Sequence, residues 1–351
     1  MRIAEVVLAA VCAASLAAQQ LYDEDPVASM PIREKLWKQM EAYAGSLPSG
    51  PNPTLAAVEP LRALLRARIG YPPPGLTSSG KIRMERAGED ADVTYFRVWI
   101  PVAPELDAYG LYIVPRKAPK PAPLVISQHG GGGTPELAAF QGGGNYRDMV
   151  RGAVAHGWIV YAPHHLFYPY RDRDHGSPIP ERVREQLDDK LRAAGTSLAA
   201  VEVAKISRAL DVLLERPEVD RKRVAMVGLS YGGFYTMYTT ALEPRIGAAV
   251  ASCSFREQPG AGSDYSGGRL NDLAPAEVAA IVFPRPLQVQ AGLSDKLMSL
   301  ESARKEAARA AEYYRKSGAA ERFSFVTFGG GHEFRGDIAW PFLKKYFSGK
   351  E

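Results

Sequence analysis

The sequence predicts an α/β domain in which a mainly parallel sheet is covered by helices on both faces. Short apolar runs typical of strands buried on both faces recur from Leu124 onward. Amphipathic segments at helical spacing lie between these runs. One run continues through a Gly-rich turn, the hexapeptide GLSYGG at 228–233, into a helix-like segment. Together these observations indicate βα units, which build parallel sheets.

The first 17 residues are interpreted as a secretory signal peptide. Arg2 is the charged start, residues 3–14 are mostly apolar, and Ser15-Leu16-Ala17 offers small residues for cleavage. The apolar stretch is too short for a good membrane span, so we expect no stable membrane insertion. These features predict a secreted or periplasmic protein. Glu5 is unusual near a signal-peptide start, and a buried N-terminal helix is the alternative.

Composition excludes some partners. The 43 Lys and Arg residues and 39 Asp and Glu residues are scattered along the chain, so we expect no nucleic-acid partner. Cys12 lies within the predicted signal peptide, and its removal would leave Cys253 without a disulfide partner. Cys253 itself is interpreted as a small buried side chain. Nothing in the sequence predicts an oligomeric state.

Residues 18–80 are interpreted as a helical extension packed on the main domain, which spans 81–351. The helical part is broken by the Pro-rich residues 48–53 and ends before the turn at 71–75. Apolar residues at helical spacing precede that turn, namely Leu61, Leu64, Leu65 and Ile69.

From Lys81 the pattern predicts opening strands, then strands alternating with helices. The predicted strands are 81–86, 93–100, 109–114, 124–127, 158–162, 223–227, 248–252, 287–290 and 323–327. The clearest helix has Val203, Ile206 and Leu210 on one face and stops before Pro217. Helices are also expected over 234–242 and 300–316.

Ser230 is the candidate nucleophile. It lies in a G-x-S-x-G sequence between a predicted strand and a predicted helix, which is the context of a nucleophile elbow. Glycines suit this turn because side chains on the neighbours of the serine would clash.

A serine hydroxyl needs a base, and an imidazole base needs a carboxylate to orient it. His332 follows the strand at 323–327 in a Gly-rich loop, and Asp295 follows the strand at 287–290. The chain order Ser230, Asp295, His332 fits a triad on this kind of fold. Asp272 is the alternative acid.

The oxyanion of an acyl-transfer reaction needs backbone N–H donors. The run His129-Gly130-Gly131-Gly132-Gly133 follows the strand at 124–127, where an oxyanion loop belongs. We expect the donors to be the N–H groups of Gly131 and Tyr231, with His129 orienting the loop.

These motifs resemble those of the α/β-hydrolase superfamily, in the branch of dienelactone-hydrolase-like and acetyl-xylan-esterase-like proteins. The resemblance covers about residues 81–347 and rests on residues 129–133, on the elbow with the preceding Arg216-Pro217-Glu218-Val219-Asp220, and on the Asp295 and His332 loops. It implies the roles of nucleophile, acid and base given above. True dienelactone hydrolases resemble this chain but carry Cys at the elbow, so Ser230 favours ester hydrolysis. Glucuronoyl-esterase elbows carry Cys-Ser-Arg where this chain has Leu229-Ser230-Tyr231.

Two insertions follow strands whose ends face the predicted site, at 163–195 and 255–275. They are expected to form a lid or pocket, or to be loop structure with surface ion pairs. The first is rich in His, Tyr and Arg, but no metal-ligand spacing is diagnostic, so no metal site is expected.

The sequence therefore predicts an exported serine esterase that needs no cofactor and acts on a small-molecule or carbohydrate ester. An acetyl group on a carbohydrate is implied by the resemblance alone. The alternatives are a serine peptidase of the prolyl-oligopeptidase type and a non-catalytic binding protein on a hydrolase scaffold. The short extension before Lys81 disfavours the peptidase, since that type carries an N-terminal propeller.

Overall fold

A computed structural model describes residues 30–46, 60–140, 144–166, 182–256 and 273–349. The predicted signal peptide, the alternative acid Asp272 and most of the second insertion lie outside these residues. Among the described residues, no helix combines the length and the apolar composition that a membrane span requires.

Two helices precede the sheet, α1 (Met30–Ser46) and α2 (Pro60–Ile69). Each begins near a proline, which is tolerated in the first turn because its missing N–H has no partner within the helix there. Apolar side chains of both helices pack in the core of the main domain. These side chains are Leu36, Trp37, Met40, Tyr43, Leu65 and Ile69.

The sheet has nine strands in the order β1-β2-β3-β5-β4-β6-β7-β8-β9. The strands are β1 (Arg83–Glu89), β2 (Val93–Ala103), β3 (Leu106–Pro115), β4 (Ala122–Gln128), β5 (Ile159–Pro163), β6 (Val219–Leu229), β7 (Ala248–Ser252), β8 (Leu287–Gly292) and β9 (Phe323–Phe328). The pairs β1–β2, β2–β3 and β3–β5 are antiparallel, and every pair from β5 to β9 is parallel.

In the described part of the chain, eight α-helices follow β4, seven of them between strands and the last after β9. They are α3 (Pro135–Phe140), α4 (Met149–Ala155), α5 (Arg182–Ala193), α6 (Leu198–Leu213), α7 (Tyr231–Leu242), α8 (Pro275–Val282), α9 (Leu300–Lys316) and α10 (Gly336–Phe347). Helices α1, α2 and α5 to α9 contribute to one buried apolar cluster, and α3, α4 and α10 to the other. The central strands contribute side chains to both clusters, which explains their nearly continuous apolar sequence.

The predicted α/β class and the mainly parallel sheet are confirmed, with corrections at element ends. β6 begins at Val219, four residues before the predicted strand. The first part of β6 is exposed to solvent at Arg221 and Lys222, so its sequence lacks the apolar pattern of a buried strand. The first predicted insertion is partly helical, because α5 lies within it. The helix predicted over 300–316 has those bounds.

Candidate active site

Ser230 lies at the junction of β6 and α7 in a strained backbone conformation. Its φ is 57° and its ψ is −118°. Such a conformation is uncommon for a residue with a Cβ and costs of order 1–3 kcal/mol. The Ser230 N–H donates to the carbonyl of Ser252, at 2.8 Å, which ties the turn to the end of β7.

The glycines of the elbow allow backbone segments to touch. A Cβ on Gly228 would overlap the carbonyl of Gly232, one turn further along. A Cβ on Gly232 would overlap the carbonyl oxygens of Gln128 and His129. The elbow therefore packs directly against the start of the candidate oxyanion loop, which side chains at these positions would prevent.

His332 and Asp295 are hydrogen-bonded to each other. Nδ1 of His332 lies 2.8 Å from Oδ2 of Asp295. The second carboxylate oxygen accepts from the N–H groups of Leu297, at 2.8 Å, and Met298, at 3.1 Å. The Asp295 side chain is 2% exposed and that of His332 is 13% exposed. Asp295 therefore holds one imidazole nitrogen and leaves Nε2 for a reacting proton.

Backbone contacts hold the loops that carry this pair. The N–H of Ser294 donates to the carbonyl of Gly330 at 2.8 Å, and that of Leu293 donates to Phe328 at 3.0 Å. The loop after β8 is thus bound along its length to the loop after β9.

Ser252 connects the elbow to the His332 loop. Its carbonyl accepts from Ser230, and its hydroxyl donates to the carbonyl of Glu333, at 3.0 Å. Sequence reasoning missed this role, because a small polar residue at a strand end gives no signal of its own. The three candidate triad residues are thereby attached to one framework of adjoining strand ends.

The candidate oxyanion loop, His129–Gly133, forms a tight turn beside Ser230. Gly133 N–H donates to the Gly130 carbonyl at 3.2 Å, and Gly132 has a φ of 70°. A positive φ at the third residue is the signature of a type II turn and favours glycine. The position of a Cβ on Gly130 would lie 3.4 Å from the Ser230 Cβ.

The N–H groups of this loop differ in whether they already have a hydrogen-bond partner. Gly130 N–H donates to the Tyr146 hydroxyl at 3.1 Å and is therefore occupied. Gly131 is exposed, and its N–H has no hydrogen-bond partner within the part of the chain described. Tyr231 directly follows Ser230 and is the first residue of α7, so its N–H lies at the N-terminus of that helix. Gly131 and Tyr231 thus remain the candidate donors.

His129 is buried and neutral rather than poised as a base. Burial lowers its pKa to about 3. Its Nδ1 lies 2.8 Å from the Gly130 carbonyl, which can only accept, so Nδ1 carries the proton. Its Nε2 then accepts from the N–H of His165 at 3.3 Å. These contacts fix the side chain beneath the loop.

His164 and His165 also lie beneath the oxyanion loop, although they begin the segment expected to form a lid or pocket. Each is 2% exposed. Burial and then neighbouring His129 lower the pKa of both rings well below 6.5. Nε2 of His165 lies 2.9 Å from the His129 carbonyl, and its ring stacks on that of His129 at 4.3 Å. These two histidines are thus core groups, which corrects the expectation for them.

Arg184 is a second residue that the sequence did not single out. It lies in the first turn of α5 and is buried, with its guanidinium carbon 4.6 Å from the centre of the Tyr231 ring. The contact is a cation–π interaction next to the candidate nucleophile.

Cys253 is buried beside the His332–Asp295 pair. Burial, and then the charge of Asp295, raises the pKa of its thiol to about 11. Among the described residues, one group of three potential metal ligands lies within 4.8 Å, and it consists of Cys253, Asp295 and His332. Two of these three are already joined by a hydrogen bond, and the third is a thiol that stays protonated at neutral pH, so the group fits a metal poorly.

The comparisons with known proteins agree with this architecture. Residues 203–258 match the family model described as acetyl xylan esterase (AXE1). The match runs from α6 to just beyond β7 and includes Ser230. A protein of Bacillus subtilis (strain 168) named as hydrolase YtaP is 25% identical over 243 residues, which is 63% of this chain and 76% of that protein.

Solved structures show the same fold at low sequence identity. Methylesterase BT1017 is 18% identical with a TM-score of 0.64, covering 88% of this chain and 68% of that one. Acetyl xylan esterase 1 from Thermoanaerobacterium sp. JW/SL YS485 is 18% identical with a TM-score of 0.56, covering 89% of this chain and 98% of that one. The chain therefore has the α/β-hydrolase fold. The family match and the geometry share the elbow around Ser230.

Proposed function

We propose that this α/β-hydrolase is a serine carboxylesterase. The observation that carries the proposal is the 2.8 Å hydrogen bond between His332 and Asp295 on loops attached to the strained Ser230 elbow. Ser230 is the nucleophile, His332 the base and Asp295 the acid that orients His332. A buried carboxylate with three hydrogen-bond donors suits that role.

The reaction proceeds through an acyl-enzyme. The Ser230 oxygen attacks the ester carbonyl carbon while Nε2 of His332 takes the hydroxyl proton. The N–H groups of Gly131 and Tyr231 stabilise the oxyanion. The tetrahedral intermediate then loses the alcohol, which receives the proton from His332. Water, deprotonated by His332, attacks the acyl carbon and releases a carboxylic acid and free Ser230.

The substrate that we propose is an acetyl ester of a carbohydrate. The acetyl xylan esterase match across the elbow supports this choice, as does the likeness in fold to an acetyl xylan esterase.

We also propose that residues 1–17 direct export and are removed, which places the enzyme outside the cytoplasm. Expression with the native N-terminus followed by N-terminal sequencing tests this. A first residue near Ala18 on exported protein is expected. Exported protein that still begins at Met1 would exclude cleavage.

Ser230→Ala tests the proposed activity. The wild type is expected to hydrolyse nitrophenyl acetate faster than longer nitrophenyl esters, to release acetate from acetylated sugars and to react with a fluorophosphonate probe. Ser230→Ala should lose all three with an unchanged circular dichroism spectrum. Ser294→Ala removes an exposed serine in the adjoining acid loop and should keep them. A folded Ser230→Ala protein that is still labelled and active would refute the assignment.

A further inference from the structure

An arginine from the N-terminal helix reaches the candidate oxyanion loop. Arg33 lies in the first turn of α1 and is 4% exposed. Its Nη2 donates to the carbonyl oxygen of Gly133, at 2.8 Å, across 100 residues of sequence. A buried guanidinium is costly unless it makes such hydrogen bonds, so the contact fixes where this charge lies.

The turn at Gly130–Gly133 is held from outside at both ends. The Tyr146 hydroxyl accepts from Gly130 N–H, and Arg33 donates to the Gly133 carbonyl. Glycines have little conformational preference of their own, so a turn made of them depends on external contacts for its geometry. Gly131, whose N–H is a candidate oxyanion donor, lies between the two contacts.

The neighbouring histidines cannot replace this contact. Arg33 is one of the cations that face His129 and His164, and its positive charge adds to burial in keeping both rings neutral. Lys205, the other cation facing both rings, makes its own hydrogen bonds to the carbonyl of His164 and to Glu202. Arg33 is therefore the charged donor that holds the end of the turn.

We propose that Arg33 is a positioning residue for the oxyanion loop, so that α1 takes part in organising the active site. The inference deepens the proposed esterase function and rests on it. Arg33 acts through the Gly133 carbonyl on the direction of the Gly131 N–H. A misdirected donor weakens stabilisation of the transition state more than binding of the uncharged ester.

Arg33→Met and Arg62→Met form a matched pair for the test. Arg62 lies in α2 and also donates to backbone carbonyls, those of Ala241 at 2.9 Å and Ile281 at 3.1 Å. Both substitutions remove an arginine of an N-terminal helix that binds the main chain of the sheet domain. Of these two arginines, Arg33 is the one that donates to the oxyanion loop.

Arg33→Met should lower kcat on nitrophenyl acetate by on the order of 10- to 100-fold with KM changed less than about threefold, because the donor is displaced and not removed. Guanidinium at millimolar concentration should restore part of the activity. Arg62→Met should keep kcat within about twofold and show no rescue. Arg33→Lys keeps the positive charge but loses the length and the planar guanidinium group of arginine, so its kcat should be intermediate.

Hydrogen–deuterium exchange supplies a readout that does not need activity. Arg33→Met should speed exchange in a peptide covering residues 129–134, and Arg62→Met should not. If wild-type protein neither hydrolyses esters nor labels at Ser230, the proposed function fails while exchange still tests the contact. If folded Arg33→Met matches Arg62→Met in kcat and exchange, the positioning role is overturned. Should Arg33→Met fail to fold, Arg33→Lys provides the same comparison.

Discussion

A Cβ on Gly292 would overlap the carbonyl oxygen of Gly331, so the acid loop and the base loop are in backbone contact. Gly292 ends β8, three residues before Asp295, and Gly331 precedes His332. The contact brings two strands' loops close enough for the His332–Asp295 hydrogen bond. The geometry of the candidate pair thus depends on the absence of a side chain at Gly292.

Gly292→Ala should separate these loops. The added methyl group must displace backbone atoms, so we expect a loss of about 1–3 kcal/mol in the free energy of unfolding together with a fall in kcat. Gly331→Ala is the control, because its added Cβ would lie 3.8 Å from the nearest atom, the carbonyl oxygen of Ser294. Denaturant titration and esterase assays measure both effects. Equal behaviour of the two variants would contradict this account.

Asp295→Asn should reduce kcat by roughly 10³- to 10⁴-fold, because an amide cannot stabilise the imidazolium form of His332. Asp272→Asn, which changes the alternative acid, should leave kcat within about twofold of the wild type. Steady-state kinetics on nitrophenyl acetate separate the two assignments. A larger loss in Asp272→Asn would move the acid role away from Asp295.

Lys205→Met should be strongly destabilising. Nζ of Lys205 lies 2.8 Å from Oε2 of Glu202, and both side chains are 3% exposed. Removing the cation leaves Glu202 buried without its partner, at a cost of about 3–5 kcal/mol. Lys38→Met breaks an ion pair with Glu34 in which the side chains are 71% and 55% exposed, and should cost less than about 1 kcal/mol.

Denaturant titration of both lysine variants gives the comparison. Glu202→Gln combined with Lys205→Met should recover part of the loss, since neither charge of this pair then remains buried. A Lys205→Met protein as stable as Lys38→Met would show that the buried ion pair is not needed for the fold.

Stability should fall as the pH drops below 6.5. His129, His164 and His165 stay neutral in the folded protein because burial lowers their pKa, to about 3 for His129. The unfolded chain binds these protons near pH 6.5. Unfolding therefore takes up as many as three protons. For each of these histidines, the free energy of unfolding falls by about 1.4 kcal/mol per pH unit as the pH drops from 6.5 to the folded-state pKa.

His164→Leu tests the origin of this acid lability. Within the described structure, neither ring nitrogen of His164 has a hydrogen-bond partner, so leucine removes one titrating group without breaking a described hydrogen bond of that ring. Urea titration should show a smaller fall in the free energy of unfolding between pH 6.5 and 5, because unfolding then takes up about one proton fewer. His156→Gln, at an exposed position, should leave it unchanged. An unaltered pH dependence in His164→Leu would place the titrating groups elsewhere.

Sequence patterns predicted the sheet well where strands are apolar throughout. β7 has the predicted bounds, because all of its residues are buried. The start of β6 was predicted four residues too late, since the segment after Val219 is polar and partly exposed. Hydrophobic periodicity and composition reflect burial, so they do not identify the part of a strand that lies outside the core.

The same limit applies to the site. Ser230, Asp295 and His332 were predicted from local motifs because each follows a strand whose end lies at the same edge of the sheet. Arg33 and Ser252 were missed, since their contacts join segments about 80 to 100 residues apart in sequence. His164 and His165 were expected in a lid or pocket because they begin an insertion that follows a strand whose end faces the predicted site, whereas here hydrogen bonding and stacking accompany burial of the His165 ring against His129.

Leu36, Trp37, Met40 and Tyr43 of α1 pack in the same apolar cluster as the sheet. A shortened gene that began at Lys81, where the family resemblance begins, would leave the sheet domain with an uncovered apolar face as well as without Arg33. Such a fragment is expected to aggregate during expression. Chimaeras with related hydrolases should therefore be joined before Met30, so that the helix and the surface it covers are inherited together.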